Sequence, residues 1–347
     1  MNPFQHQRRL TLAIGLALAA PAAFAQNADN DPNYPQVTLS GEVEVEAFHS
    51  SPFAGSDESD IALATAFLGL EGVITDQIRA EISTLFEEDD TPLEVDTASV
   101  MLGAEDDLWS LRAGQFYLPF GVFETAMISD PLTLELGETR ETAVQAGIGT
   151  GGFNAAVFAF NGDLESESEV NGFGATAGYQ ATLGATDLTL SAGYLNSLGD
   201  SDVLQDTITA ATGGADTDEV GAWTASAVVG VGDVTLVGEY LAATEDFAPG
   251  EVGFRGNGAK PAAWNLEAGY GFEMMGRPAT AAVGYQGTDE ALALEYPESR
   301  LLAAFSVEIL PYTALSFEYA HDEDYDTNDG GSGETADTFT AQLAVAF

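Results

Sequence analysis

The chain has 347 residues, 56 acidic against 9 basic side chains, and a formal net charge of -47. A nucleic-acid partner is excluded, because a phosphate backbone needs clustered Lys and Arg and Lys260 is the lone lysine. Zero cysteines and three histidines remove disulfide scaffolds, thiolate zinc sites and cysteine nucleophiles, so no catalytic constellation, metal site or cofactor is expected and the chain reads as a non-enzyme.

Disorder is not the consequence of this charge, since 45% of the residues are hydrophobic and 10% aromatic. The first 25 residues form a secretory signal: Arg8 and Arg9 precede the apolar run from Leu10 to Ala20, and Pro21 and Ala23-Phe24-Ala25 follow as a cleavage site. The run is shorter than the ~20 apolar residues a membrane helix needs. The expected order is signal peptide 1–25, a short periplasmic segment 26–35, and one domain over 36–347.

That domain alternates apolar and polar residues almost throughout. Val43 and Val45 oppose Glu42, Glu44 and Glu46; Leu315, Phe317 and Tyr319 oppose Ser316 and Glu318; Phe339, Leu343, Val345 and Phe347 oppose Thr340 and Gln342. Such a period of two marks strands with one apolar face. Sixteen segments follow in chain order: 36–48, 60–75, 77–87, 95–105, 107–116, 140–150, 152–161, 170–183, 185–197, 217–232, 233–243, 261–274, 276–287, 299–310, 311–321 and 336–347. Short turns around Asp76, Asp106, Gly151, Gly184, Gly232, Gly276 and Pro311 alternate with longer loops.

This rhythm predicts an all-β, transmembrane, up-and-down antiparallel barrel of about 16 strands, with short periplasmic turns and long extracellular loops, in the outer membrane of a Gram-negative bacterium. A soluble sandwich is the rival. It is disfavoured because nothing in the chain could cover so many apolar faces, and because strands of this length suit a tilted bilayer crossing. Aromatics near segment ends (Trp109, Phe116, Tyr117, Trp223, Trp264, Phe272, Tyr296 and Tyr312) fit membrane interfaces. The expected partners are therefore the lipid bilayer and lipopolysaccharide. The terminal aromatic Phe347 resembles the signal read by the barrel-assembly machinery.

In a barrel the polar faces must point to a lumen, and sixteen strands leave an aqueous channel. On this parity Glu42, Glu44, Glu46, Glu81, Glu239, Glu267, Glu308 and Glu318 line the pore with Arg79, Arg112 and Arg300. Eight carboxylates against three guanidinium groups predict a preference for cations. The segment 117–139 is far more apolar than the other loops, with Phe120, Val122, Phe123, Met127, Ile128, Leu132, Leu134 and Leu136. Folding into the barrel mouth would bury these side chains and make a constriction. Glu124 and Asp130 are then expected to face Arg79 and Arg112 in a transverse field; a loop packed on the rim is the alternative.

The run Gly114-Gln115-Phe116-Tyr117-Leu118-Pro119-Phe120-Gly121, with Ile128-Ser129-Asp130-Pro131-Leu132-Thr133, Leu136-Gly137-Glu138-Thr139-Arg140 and Val144-Gln145-Ala146-Gly147, resembles the LbtU family of siderophore porins. The resemblance implies an outer-membrane barrel carrying ferric siderophores. Without it, the residues describe a general, cation-preferring diffusion porin for small solutes. Only ten residues, 26–35, precede the first segment, so passive diffusion is expected. The acidic run His321–Gly330 places Asp329, not glycine, sixth from Asp324, and so misses the calcium-loop register. It reads as a solvated surface loop, with loosely bound divalent cations at the loops as the alternative.

Overall fold

The computed structural model describes residues 35–88, 91–103, 108–162, 164, 170–214, 217 and 219–347. The expected signal peptide 1–25 and all of 26–35 but Pro35 lie outside the described residues. In chain order the strands are β1 (Gln36–Ser51), β2 (Glu58–Thr75), β3 (Ile78–Phe86), β4 (Glu94–Leu102), β5 (Trp109–Tyr117), β6 (Arg140–Thr150), β7 (Phe153–Phe160), β8 (Gly172–Leu183), β9 (Thr186–Leu195), β10 (Ala222–Val231) and β11 (Val234–Ala243). After the two-residue hairpin β12 (Gly253–Phe254) and β13 (Asn257–Gly258) come β14 (Ala262–Met274), β15 (Arg277–Asp289), β16 (Ser299–Leu310), β17 (Thr313–Glu323) and β18 (Thr335–Ala346). Two helices, α1 (Leu132–Gly137) and α2 (Asp202–Thr212), lie in loops.

All strands except the small hairpin form one closed antiparallel barrel, in which β1 pairs β2 on one side and β18 on the other. The barrel thus has 16 strands. Closure leaves no unpaired edge, which a strand surrounded by hydrocarbon requires. At the seam, the Gly41 N–H donates to the Phe347 carbonyl at 2.8 Å and the Phe347 N–H returns a bond to the Gly41 carbonyl at 2.9 Å.

The alternation sorts the side chains. On β1, Val43 is 42% exposed on the outer face while Glu44 is 1% exposed inside. On β18, Phe339 and Leu343 are exposed outward while Gln342 is buried inside. Outward Leu, Val and Ile recur on nearly every strand, making a continuous apolar belt. Aromatic pairs flank it: Phe173–Tyr194, Trp223–Tyr240 and Trp264–Tyr285 towards the long-loop end, Phe153–Tyr179 and Tyr270–Phe272 towards the short-turn end. Three aromatics expected at the interfaces sit elsewhere. Phe116 and Tyr296 join the buried apolar cluster within the barrel, and the Tyr117 hydroxyl donates to Asp96 at 2.7 Å.

Tight two-residue turns need left-handed backbone, and two of them adopt it at both positions: Gly151 and Gly152 have φ 57° and 86°, Met275 and Gly276 have 54° and 75°. Two strands, β6 and β16, run over the expected limits of 140–150 and 299–310. The expected segment 217–232 begins later, at Ala222, because the preceding stretch belongs to a loop that carries α2. Gly213 closes that helix with φ 71°, in the left-handed cap that glycine adopts at least cost.

Candidate functional site

The loop between β5 and β6 lies inside the barrel and is tied to its inner wall. Its apolar side chains explain the direction of folding. Leu118, Phe120, Leu132 and Leu136 share one buried cluster with the wall residues Phe158, Phe160, Leu195 and Leu241, and with Leu204 and Ile208 of α2. The two loop helices are joined as well, since the Asp202 N–H opening α2 donates to the Glu138 carbonyl at 3.0 Å.

A loop in a lumen must also satisfy its backbone donors. Wall side chains do this in sequence around β10 to β17. The Thr224 hydroxyl donates to the Phe120 carbonyl. Glu239 accepts the Val122 and Phe123 N–H groups at 2.8 and 2.9 Å, and the Thr133 hydroxyl at 3.2 Å. Glu267 accepts the Ala126 N–H at 2.7 Å and the Thr125 hydroxyl at 2.8 Å. Glu318 accepts the N–H groups of Ile128 and Ser129, the latter at 3.2 Å. Gln286 accepts the Leu132 N–H at 3.0 Å. Phe123 holds φ 56°, a conformation costly for a bulky residue that persists where surrounding contacts over-determine it; the Glu239 carboxylate across its N–H is such a contact.

This arrangement corrects part of the expected pore lining. Glu239, Glu267 and Glu318 do point inward, but their carboxylates are buried as the loop's anchors, and of these three Glu318 alone also borders the cavity described below. Glu81 and Arg112 form an ion pair, with the Arg112 Nε donating to the Ser99 hydroxyl at 2.9 Å and the guanidinium 4.2 Å from the Phe116 ring centre. Arg300 is held by both oxygens of Asp322 at 2.8 and 3.0 Å. Glu308 lies 3.6 Å from Arg277 near the short-turn end. Glu46 accepts the Gln342 amide at 3.0 Å, Glu42 is half-buried on the same inner face of β1, and Arg79 is half-buried at the start of β3.

The expected opposition of Glu124 and Asp130 to Arg79 and Arg112 is also corrected. Glu124 is exposed on the loop with Glu267 as an electrostatic neighbour. Asp130 is surrounded by acids: burial, reinforced by Glu135, Glu138, Glu87 and Glu44, pushes its carboxyl well above the ordinary range. Glu138 is raised by burial first and then by Asp202, Glu135 and Asp96, with Arg140 opposing. The loop was drawn away from the arginines because its anchoring carboxylates stand on β11, β14 and β17, across the barrel from β3 and β5.

Above the loop opens a cavity of about 200 Å³, continuous with solvent. Its lining carries nine carboxylates, among them Glu46, Glu58, Glu87, Glu88, Asp130 and Glu135, and one guanidinium, that of Arg300. The residues sequence reasoning missed are Thr224, Gln286 and Asp322. Each lies at an inward position of its strand, but nothing local distinguishes it from an ordinary lumen residue. In the acidic loop after β17, Asp324 accepts the Ser332 N–H at 2.6 Å and Asp329 pairs with Arg255, so two of its acids are engaged within the protein.

No protein-family model matches the chain. A UPF0422 protein of Legionella pneumophila (strain Philadelphia 1) is 29% identical over 374 aligned positions, covering 91% of this chain and 67% of that protein. A UPF0422 protein of Coxiella burnetii is 28% identical over 317 positions, covering 86% of this chain and 66% of that protein. The chain therefore spans about two thirds of the length of these relatives. Among solved structures, an anion-selective porin from Comamonas acidovorans superposes with a TM-score of 0.64 at 14% identity, over 90% of this chain and 100% of that one. The outer-membrane channel DcaP of Acinetobacter baumannii gives 0.62 at 14% identity, over 92% and 99%. The closed barrel of this chain shares its fold with both of these structures.

Proposed function

We propose that the protein is an outer-membrane porin: a passive, water-filled channel that prefers cations and has no catalytic role. The apolar belt between two aromatic bands supports a bilayer position. The observation that carries the selectivity is the cavity, where, of nine lining carboxylates, Asp322 is paired with the lone guanidinium and Glu318 is engaged by the loop, leaving seven against no uncompensated cation. Fixed negative charge in a narrow, low-dielectric mouth raises the local concentration of cations. Anion selectivity, the property of the Comamonas protein, is not carried over, because fold likeness at this identity says nothing about charge.

The resemblance to LbtU-family siderophore porins suggests an iron chelate as cargo, and an acidic mouth favours cationic or neutral chelates over anionic ones. A general diffusion porin for small solutes is the reading that the charge alone favours. Reversal potentials across a planar bilayer in a KCl gradient test the channel: a potential of cation sign is expected, and an anion sign or no conductance defeats the proposal. Growth of a deletion strain on a ferric siderophore as iron source separates the two cargo readings.

A further inference from the structure

Asp130 is a buried acid with an unfilled hydrogen-bonding position. It lines the cavity, is 4% exposed, and its Oδ2 has no hydrogen-bond donor. The strongest electrostatic influences on it come from acids, Glu135, Glu138, Glu87 and Glu44. Glu44, behind it on β1, likewise has a buried Oε2 without a donor. A buried carboxylate oxygen left unpaired among like charges is costly, and a donor carrying positive charge would relieve both the missing hydrogen bond and the repulsion.

Among the described residues no group of three acids or histidines is placed to hold a metal ion. The carboxylates are instead spread along a cavity whose remaining lining includes Phe48, Ile128, Leu132 and Tyr296. Separated anions with apolar surface between them suit separated ammonium groups joined by methylenes. Each ammonium offers three donors, the methylenes pack on the apolar surface, and the aromatic faces attract cations.

We propose that this cavity is a binding site for linear organic polycations, amines with two or more ammonium groups, held by Asp130 with Glu135 and Glu87 above the loop as they enter the channel. The site rests on the channel reading given above and names its substrate class.

The test uses the full-length protein in planar bilayers, with spermidine added on the long-loop side while potassium current is recorded. Spermidine should block the current in a saturable way. Asp130→Asn and Glu135→Gln should each raise the half-blocking concentration about tenfold, as loss of one charge-assisted hydrogen bond implies. Glu245→Gln, on an exposed loop, should leave it unchanged. Calorimetric titration of spermidine into the detergent-solubilised protein should show the same order of affinities independently of conduction. A potassium-selective channel that spermidine does not block, or blocks equally in wild type and both variants, overturns the site and leaves the channel standing. Magnesium blocking as strongly, with the same sensitivity to the variants, overturns the polycation class. Absence of conductance or an anion preference overturns the channel reading, and the site with it.

Discussion

The carboxylate of Glu239 accepts the Val122 N–H at 2.8 Å, although the two residues lie 117 positions apart. With Phe123 and Thr133 it receives three donors from the inward loop. Hydrogen bonds to a charged acceptor are worth about 1.5–3 kcal/mol each. Glu239→Gln keeps the shape but turns an N–H donor towards another N–H, so it should loosen the loop by about 2–3 kcal/mol. Larger conductance, more open-channel noise and faster proteolysis within 117–139 are expected, with the barrel still closed in heat-modifiability gels. Quiet recordings with wild-type conductance would show that the loop does not need this anchor.

The Glu81–Arg112 pair should behave differently. Both side chains are about a quarter exposed, at 28% and 25%, so water screens their attraction and removing it should cost only ~0–1 kcal/mol. Its effect lies in the field. Arg112→Ala leaves Glu81 uncompensated and should shift the reversal potential further in the cation direction, at nearly unchanged melting temperature. An unchanged reversal potential would place this pair outside the permeation path.

The strand framework was legible because lipid and water impose opposite demands on alternate residues, and every strand repeats the same answer. That is why β6 and β16 could be bounded from the sequence alone. The inward face of Glu267 was legible for the same reason. Its role was not. Its loop partners Thr125 and Ala126 stand 142 and 141 positions away, and parity cannot separate a carboxylate facing water from one facing a backbone N–H. The strand register carries more. Glu239 pairs with Asn265, Asn265 with Gln286, Gln286 with Arg300, and Arg300 with Asp322. This polar row across five strands becomes visible only once the register is known. The helix α2 was missed because its neighbours, the apolar residues of the inward loop, come from elsewhere in the chain.

The inward loop should respond to pH. A carboxyl whose pKa rises on folding binds its proton more tightly in the folded state. Its contribution therefore favours folding at low pH and declines as pH climbs towards the folded value. For Asp130 and Glu138 the window starts at the ordinary values of 3.8 and 4.5 and extends upward, since burial among acids raises both. Acidification within that window should seat the loop more firmly, lowering conductance and noise. Asp130→Asn, neutral at every pH, should flatten that dependence. A variant that titrates like wild type would assign the response to other groups.

Closure of the barrel should depend on the smallness of Gly41. A Cβ at this position would run into the ring of Phe347, whose backbone exchanges two hydrogen bonds with Gly41 at the seam. The ring itself is 63% exposed on the outer surface, where an aromatic at the membrane interface is favoured. Gly41→Leu forces the ring or the strand to move, and overpacking of this kind costs about 1–3 kcal/mol. The last residue would then be displaced from β1 while every other strand pair is left intact. Refolding into detergent micelles should yield a smaller heat-modifiable fraction for Gly41→Leu, and Phe347→Ala in the same background should recover part of it by removing the clash. If the double variant folds no better than Gly41→Leu, the glycine matters for some reason other than room for that ring.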